Sequence, residues 1–249
     1  MMKKQRLDEI LVEQGYFPDA DAALRAVIAR EVRVDDVYVS SAALKVSPDA
    51  DIYVKNARAF VSRGGHKLQG ALDGFGVDVS DLRCIDIGSS TGGFTDCLLQ
   101  AGAAEVTCVD VNYGQLAWQV RQNPHVRVFE RTNIRLACPE DLGAPFDVIV
   151  CDLSFIGMAS LAEVFAALAH EGSIFLGLIK PQFESKQGET DGGIVVDAAV
   201  RERVVGEVEE ALTDVGFHVE GVIESPIKGT SGNIEYLIHA IYSEVEIQN

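Results

Sequence analysis

The run Asp86-Ile87-Gly88-Ser89-Ser90-Thr91-Gly92-Gly93-Phe94-Thr95 follows an apolar, strand-like segment at 84–87 and leads into a helix-like one at 93–101. Glycines at such a strand-to-helix turn let the backbone take positive φ and come close to a ligand. Nicotinamide dinucleotides and S-adenosylmethionine both use this geometry, so the turn alone leaves the ligand open. Two details favour the second. The spacing is G-x-x-x-G-G rather than the dinucleotide G-x-G-x-x-G. Asp86 also stands just before the turn, where a carboxylate repels a pyrophosphate and suits the ammonium of a methionine moiety.

Working outward, apolar runs recur at 84–87, 106–109, 126–129, 148–151, 174–179, 218–223 and 235–242. Helix-like segments lie near 66–75, 93–101, 115–122, 159–169 and 197–215. Alternation of this kind predicts an α/β fold, a doubly wound and mostly parallel sheet with helices on both faces. Pro226 and Gly232 sit in the last connection, which has no helical pattern, so the final strand is expected to return antiparallel. Asp110 ends the second strand of this series and is placed for ribose hydroxyls. Asn133, beyond the third, is a candidate for an adenine edge. The bland alternative makes both of them, and Asp86, turn and strand-end caps. Leu116 and Trp118 are expected to pack on the sheet.

Residues 6–55 read as a separate small α/β unit. Leu7, Ile10 and Leu11 share a helical face, with Gly15 as a stop signal. Asp21 is placed to cap a second helix carrying Ala22, Leu24, Ala26, Val27 and Ile28. Short alternating segments, Val32-Arg33-Val34 and Ile52-Tyr53-Val54, follow. The expected division is a small domain over 1–57, a connection over 58–65 containing Ser62-Arg63-Gly64-Gly65, and a large domain over 66–249.

Composition narrows the function. The chain has 249 residues with 47% hydrophobic and 24% charged, an ordinary globular balance. No apolar run reaches bilayer length, and the basic start Met1-Met2-Lys3-Lys4 is not followed by the apolar stretch of a secretory signal. Five cysteines form no CxxC pair, which favours reduced core thiols in a cytoplasmic protein and gives no metal site. The net charge of −17 opposes a nucleic-acid partner, but its distribution is uneven. Residues 1–60 hold nine Lys/Arg against ten Asp/Glu, and the remainder holds twelve against twenty-eight. An RNA ligand therefore needs the few cations gathered on one face.

Four charged residues from separate segments converge on the ligand edge of the expected sheet. Asp152 follows 148–151 and Lys180 follows 174–179. Glu235 begins the reversed final strand, and Lys67 begins the helix that precedes the first strand of the sheet. A ribose hydroxyl is a weak nucleophile that needs a base. Lysine serves only when burial or a second ammonium lowers its pKa. In this arrangement Asp152 orients Lys180, and Glu235 holds Lys67 or the hydroxyl. Solvated ion pairs are the plain alternative for any one of the four.

Residues 63–242 resemble the FtsJ-like ribose 2′-O-methyltransferases with their Lys-Asp-Lys-Glu tetrad. Five segments carry a closer resemblance: Ser62-Arg63-Gly64-Gly65-His66-Lys67-Leu68, Thr91-Gly92-Gly93-Phe94-Thr95, Asp152-Leu153-Ser154-Phe155-Ile156, Lys180-Pro181-Gln182-Phe183-Glu184 and Ser231-Gly232-Asn233-Ile234-Glu235-Tyr236. Together they resemble the TlyA, or haemolysin A, family of ribosomal RNA cytidine 2′-O-methyltransferases, and 6–55 resembles that family's S4 RNA-binding domain. The resemblance implies a Rossmann-like methyltransferase sheet, S-adenosylmethionine as donor and ribosomal RNA or a ribosomal subunit as partner. It makes Lys67, Asp152, Lys180 and Glu235 catalytic. The cofactor set becomes Asp86, Gly88, Ser89, Ser90, Thr91, Gly92, Gly93, Phe94, Asp110, Asn133 and Asp152. Arg6, Arg63, His66, Lys186 and Lys228 become the RNA contacts.

There are departures. Asp19, Asp21 and Asp36 stand at or near places where the S4 unit is usually basic. Phe60, in Arg58-Ala59-Phe60-Val61, replaces a frequent Trp. The short tail resembles the shorter members, which act on large-subunit RNA alone. The polar stretch 184–193 is a candidate lid. A non-catalytic ribosome-binding factor and a membrane-active haemolysin are the rival classes, and the second lacks a spanning or cationic amphipathic segment.

Overall fold

The structure is a computed structural model that describes residues 4–13, 16, 17, 19–47, 50, 52–55, 60–229 and 232–243. Gly15, Arg58, Ala59 and Ser231 lie outside the described residues, and with them the expected helix stop and half of the connecting tetrapeptide.

The N-terminal unit runs β1 (Gln5–Arg6), α1 (Leu7–Glu13), α2 (Ala20–Ile28), β2 (Val32–Val34), β3 (Val37–Tyr38), β4 (Lys45–Val46) and β5 (Ile52–Val54). β1 pairs with β4, and β3-β2-β5 form an antiparallel sheet. Leu7, Ile10 and Leu11 of α1 pack with Ala23, Ala26 and Val27 of α2 and with Val32, Val34 and Val54, giving the unit its own core. The cap of α2 is Asp19, whose side chain accepts from Ala22 N at 2.7 Å, and Asp21 lies inside the first turn. Leu24 and Ile28 are exposed, because the buried stripe runs through Ala23, Ala26 and Val27 instead.

The rest of the chain runs α3 (Arg63–Phe75), β6 (Arg83–Ile87), α4 (Gly93–Gln100), β7 (Glu105–Val109), α5 (Trp118–Arg121), β8 (Val126–Phe129), α6 (Pro139–Leu142), β9 (Val148–Cys151), the 3₁₀ turn Ala159–Leu161, α7 (Ala162–Leu168), β10 (Ile174–Ile179), α8 (Pro181–Glu184), α9 (Ala198–Asp214), β11 (Phe217–Glu224) and β12 (Tyr236–Tyr242). The seven strands are ordered β11-β12-β10-β9-β6-β7-β8. β12 is antiparallel to both neighbours, whereas β10, β9, β6, β7 and β8 pair in parallel, as the sequence led us to expect.

Strand alternation explains the two cores. In β9, Val148 and Val150 face α3 and α4 with Cys84, Leu68, Leu72 and Leu98. Ile149 and Cys151 face the other way, toward Phe165 of α7 and Val204, Val208 and Leu212 of α9. Both faces are covered, so the strands read as continuous apolar runs. α3 opens at Arg63, capped by Ser62 accepting from Gly64 N at 3.3 Å. Lys67 therefore stands in the second turn of α3 and does not begin it. Glu235 likewise precedes β12 by one residue. Leu116 is buried as expected, but Trp118 is about half exposed and does not pack on the sheet. Cys84, Cys97, Cys108 and Cys151 are buried free thiols, whereas Cys138 is exposed.

Candidate active site

β6 has β7 on one side and β9 on the other, so the order in which strands are added reverses between β6 and β9. Crevices beyond the carboxyl ends of strands open at such points. Two cavities, of about 400 and about 520 Å³, lie there and share Gly88, Ser90, Asp152 and Ser154. Gly88 holds the loops together. Its φ is +83°, and a Cβ there would meet the Asp152 carbonyl oxygen at 2.6 Å. Any side chain would push the loop after β6 away from the loop after β9.

The first cavity is lined by Asp86, Gly88, Ser89, Ser90, Thr91, Gly93 and Phe94 from the glycine-rich loop, and by Lys67, Asp152 and Lys180. Gly92 does not line it. At φ +88°, Gly92 brings the loop against Leu116, 2.8 Å from where a Cβ would lie. Asp86 is fully buried on β6. One of its oxygens, Oδ2, accepts from Thr95 N at 3.0 Å and Thr95 Oγ1 at 2.6 Å. The other, Oδ1, is buried without a hydrogen-bond partner. Burial raises this carboxyl from 3.8 to about 7, against the Thr95 hydrogen bond, which lowers it. A buried orphan oxygen at the wall of a cavity fits a cationic ligand group.

The second cavity lies beyond β7 and β8, lined by Asp110, Val111, Gln115, Asn133, Ile134 and Leu153 among others. Asp110 Oδ2 accepts from Ser90 N at 2.8 Å and Oδ1 from Asn112 N at 2.7 Å. It thus caps the loop, and its remaining lone pairs are free for hydroxyl donors. Asn133 Oδ1 accepts from Arg135 N at 3.1 Å, which is the turn-forming role, while its residue still lines the cavity. One polar lobe with a buried carboxyl and one more apolar lobe with a ribose-height aspartate suit the amino-acid and nucleoside ends of S-adenosylmethionine.

The four charged residues form two pairs. Lys67 Nζ donates to Glu235 Oε2 at 2.6 Å, with side chains 11% and 3% exposed. Lys180 Nζ lies 2.5 Å from Asp152 Oδ1 and donates to Ser154 Oγ at 3.1 Å. Asp152 Oδ1 is itself buried, so the Lys180 ammonium is its partner in the ion pair. Each lysine thus sits on its own carboxylate, and both lysines face the first cavity.

The cations expected to meet RNA separate into two groups. Arg63 and Lys228 line the mouth of the first cavity, and Arg63 Nη2 donates to the Lys228 carbonyl at 2.9 Å. His66 and Lys186 are exposed but line neither cavity; His66 packs edge-on against Phe60, ring centroids 5.2 Å apart. Arg6 is engaged by Asp8 through Nε at 3.0 Å and Nη2 at 2.6 Å. The 184–193 stretch is tied down: Arg203 pairs with Glu189 at 2.5 Å, and Asn233 Nδ2 donates to the Gly193 carbonyl at 2.9 Å. Ser62, Gly64, Ser154, Gln115 and Leu153 were missed as cavity residues. Their position beside a strand end or helix cap already named was the available signal.

Comparison with known proteins agrees with this geometry. Residues 60–242 match the FtsJ-like methyltransferase family. The 16S/23S rRNA (cytidine-2′-O)-methyltransferase TlyA of Mycobacterium tuberculosis is 42% identical over 96% of this chain and 90% of its own. Hemolysin A of Brachyspira hyodysenteriae is 38% identical over 95% of this chain and 99% of its own. A solved structure from Streptococcus thermophilus that also carries the hemolysin label superposes with a TM-score of 0.73 at 37% identity, covering 98% of this chain and 90% of that one. The chain therefore belongs to the FtsJ-like methyltransferase family, in the branch that includes TlyA and Hemolysin A.

Proposed function

We propose that the protein methylates a ribose 2′-hydroxyl of a cytidine in ribosomal RNA, using S-adenosylmethionine as donor. The observation that carries this reading is the Lys180–Asp152 pair, which lines the first cavity together with the glycine-rich loop, Asp152 also lining the second. The mycobacterial relative named for this reaction supports it.

S-adenosylmethionine supplies an electrophilic methyl on a sulfonium centre. Asp86 Oδ1 would hold the ammonium of its amino-acid end, and Asp110 would accept from the ribose hydroxyls. Gly88, Ser89, Ser90, Thr91, Gly92, Gly93 and Phe94 shape the cradle, and Asn133 lines the adenine end. In its neutral form the Lys180 amine would take the proton from the 2′-hydroxyl at Nζ and become an ammonium held by Asp152, leaving the oxygen free to attack the methyl of the donor. Lys67 and Glu235 fix the far wall and keep the hydroxyl in register. Arg63 and Lys228 at the cavity mouth hold phosphates of the acceptor strand. His66 and Lys186 are exposed and serve as further RNA contacts, and the N-terminal unit, residues 1–57, serves as an S4-like RNA-binding domain with Arg6 in β1, just ahead of its first helix.

Purified protein incubated with labelled S-adenosylmethionine and ribosomal subunits, followed by mapping of 2′-O-methylation, tests the reading. Label is expected on a cytidine ribose. Lys180→Ala is expected to lower transfer by about 10²–10⁴-fold while binding S-adenosylhomocysteine normally. Absence of label on both subunits overturns the proposal.

The Hemolysin A relative motivates a membrane-active alternative. No helix among the described residues is long and apolar enough to cross a membrane. Leakage of liposomes by the pure protein would favour the alternative.

A further inference from the structure

Asp152 and Lys180 end adjacent strands, β9 and β10, but strand pairing stops before them. The last register partners are Cys151 and Gly177. The segment after Asp152 has no regular structure until Ala159 and contains Phe155 at φ +69°. An aromatic residue in the left-handed region is strained and relaxes unless neighbouring contacts hold it. Some group must fix this segment if the Lys180–Asp152 pair is to keep its geometry.

Glu184 is that group. It ends the short helix α8, whose N-cap is Lys180. Its carboxylate reaches across to the 152–159 segment and accepts from the Met158 and Ala159 backbone N–H groups. These donors open the helical turn that continues into α7, where the segment's own carbonyls offer no partners. The fit is close: a Cβ on Gly157 would meet Glu184 Oε2 at 2.5 Å. The two segments also touch through Phe155 and Phe183, ring centroids 5.4 Å apart, and through Lys180 with Ser154. Glu184 carries no direct contact to either cavity. Burial raises its pKa, and the hydrogen bonds from the two N–H groups act against that rise.

We infer that Glu184 is a positioning residue: it clamps the loop after β9 to the loop after β10 and so sets the Lys180–Asp152 pair. This rests on the activity reading above for its catalytic consequence, but not for its structural one. Glu184→Ala is expected to lower kcat by about 10- to 100-fold, with KM for the ribosomal substrate and Kd for S-adenosylhomocysteine within about twofold of wild type. Glu184→Gln keeps an oxygen acceptor for both N–H groups and is expected to restore kcat to within about threefold. Gly157→Ala leaves Glu184 in place but displaces its carboxylate, and is expected to repeat the loss even if Glu184→Ala folds poorly.

The readout independent of turnover is the Lys180 side-chain resonance in ¹⁵N-lysine spectra, assigned by Lys180→Arg. Its chemical shift should move in Glu184→Ala and Gly157→Ala and stay in Glu184→Gln. Wild-type kcat and an unmoved Lys180 signal in Glu184→Ala overturn the inference, as do equal losses in the Gln and Ala variants. If the wild-type protein transfers no methyl group, the activity reading fails while the Lys180 signal still decides the role of Glu184.

Discussion

The two lysine–carboxylate pairs are alike in composition and unlike in setting. Lys67–Glu235 is closed: Glu235 is 3% exposed and accepts from both Lys67 and Gln182 Nε2, the latter at 3.4 Å. Lys180–Asp152 is more open: Lys180 is 11% exposed, as Lys67 is, but Asp152 is 22% exposed and Ser154 Oγ gives the ammonium a second partner. A closed pair holds its protons and its shape, while an open pair has capacity to exchange with a ligand. Tetrad membership alone therefore does not assign equal tasks to the four residues.

The largest effect separates the pairs by stability. Glu235→Ala leaves the Lys67 ammonium buried without compensation, a situation that costs about 3–5 kcal/mol. At roughly 2–4 °C per kcal/mol, melting should fall by about 10 °C. Replacing both partners, Lys67→Met with Glu235→Leu, should recover most of that loss without recovering methyl transfer. Asp152→Ala, at the open pair, should shift melting by no more than about 3 °C while abolishing transfer. Equal stability losses at Glu235 and Asp152 would erase the distinction.

A smaller effect tests the buried carboxyl between the pairs and the cofactor loop. Asp86 is raised from 3.8 to about 7 by burial. Below about pH 4 the group is neutral in folded and unfolded chains alike. As pH rises from there, the unfolded chain releases its proton first and the folded chain resists, so ligand-free stability declines until about pH 7 and then levels. Asp86→Asn should flatten that decline. The ammonium of S-adenosylhomocysteine needs the ionised carboxylate, so its affinity should climb by up to about tenfold per pH unit below 7. Calorimetry between pH 5.5 and 8 checks this. An affinity independent of pH would remove Asp86 from the ammonium site.

How far these features could be read from sequence depends on how local their cause is. The parallel sheet and its reversed final strand were legible because apolar runs and glycine turns are local signals. The convergence of Lys67, Asp152, Lys180 and Glu235 followed from strand direction alone. The pairing of Asp152 with Lys180 was expected, whereas Glu235 was expected to hold either Lys67 or the hydroxyl. What the sequence hid was nonlocal: Gly88 against the Asp152 carbonyl, the carboxylate of Glu184 capping the helical turn that follows the adjacent strand, and Asp19 rather than Asp21 at the start of α2. Trp118 misled because apolar spacing near a helix does not say which side faces outward. Arg6 misled for a related reason, since Asp8 two residues on engages its guanidinium.

That last point gives the smallest predicted effect, and it compares the N-terminal unit with the cavity mouth. A guanidinium bidentate to a carboxylate is largely neutralised and keeps only its outer N–H groups for a phosphate. Arg6→Ala should therefore raise KM for the ribosomal substrate less than twofold and leave its salt dependence unchanged. Lys228→Ala, at the mouth, should raise KM by about three- to tenfold and reduce the slope against log salt by about one. Arg63→Ala should act through the same loop, because its guanidinium holds the Lys228 carbonyl, so the double variant should fall short of the sum of the singles. A large KM effect from Arg6→Ala would mean that RNA displaces Asp8 on binding, and would move the affinity of the complex from the cavity mouth to the N-terminal unit.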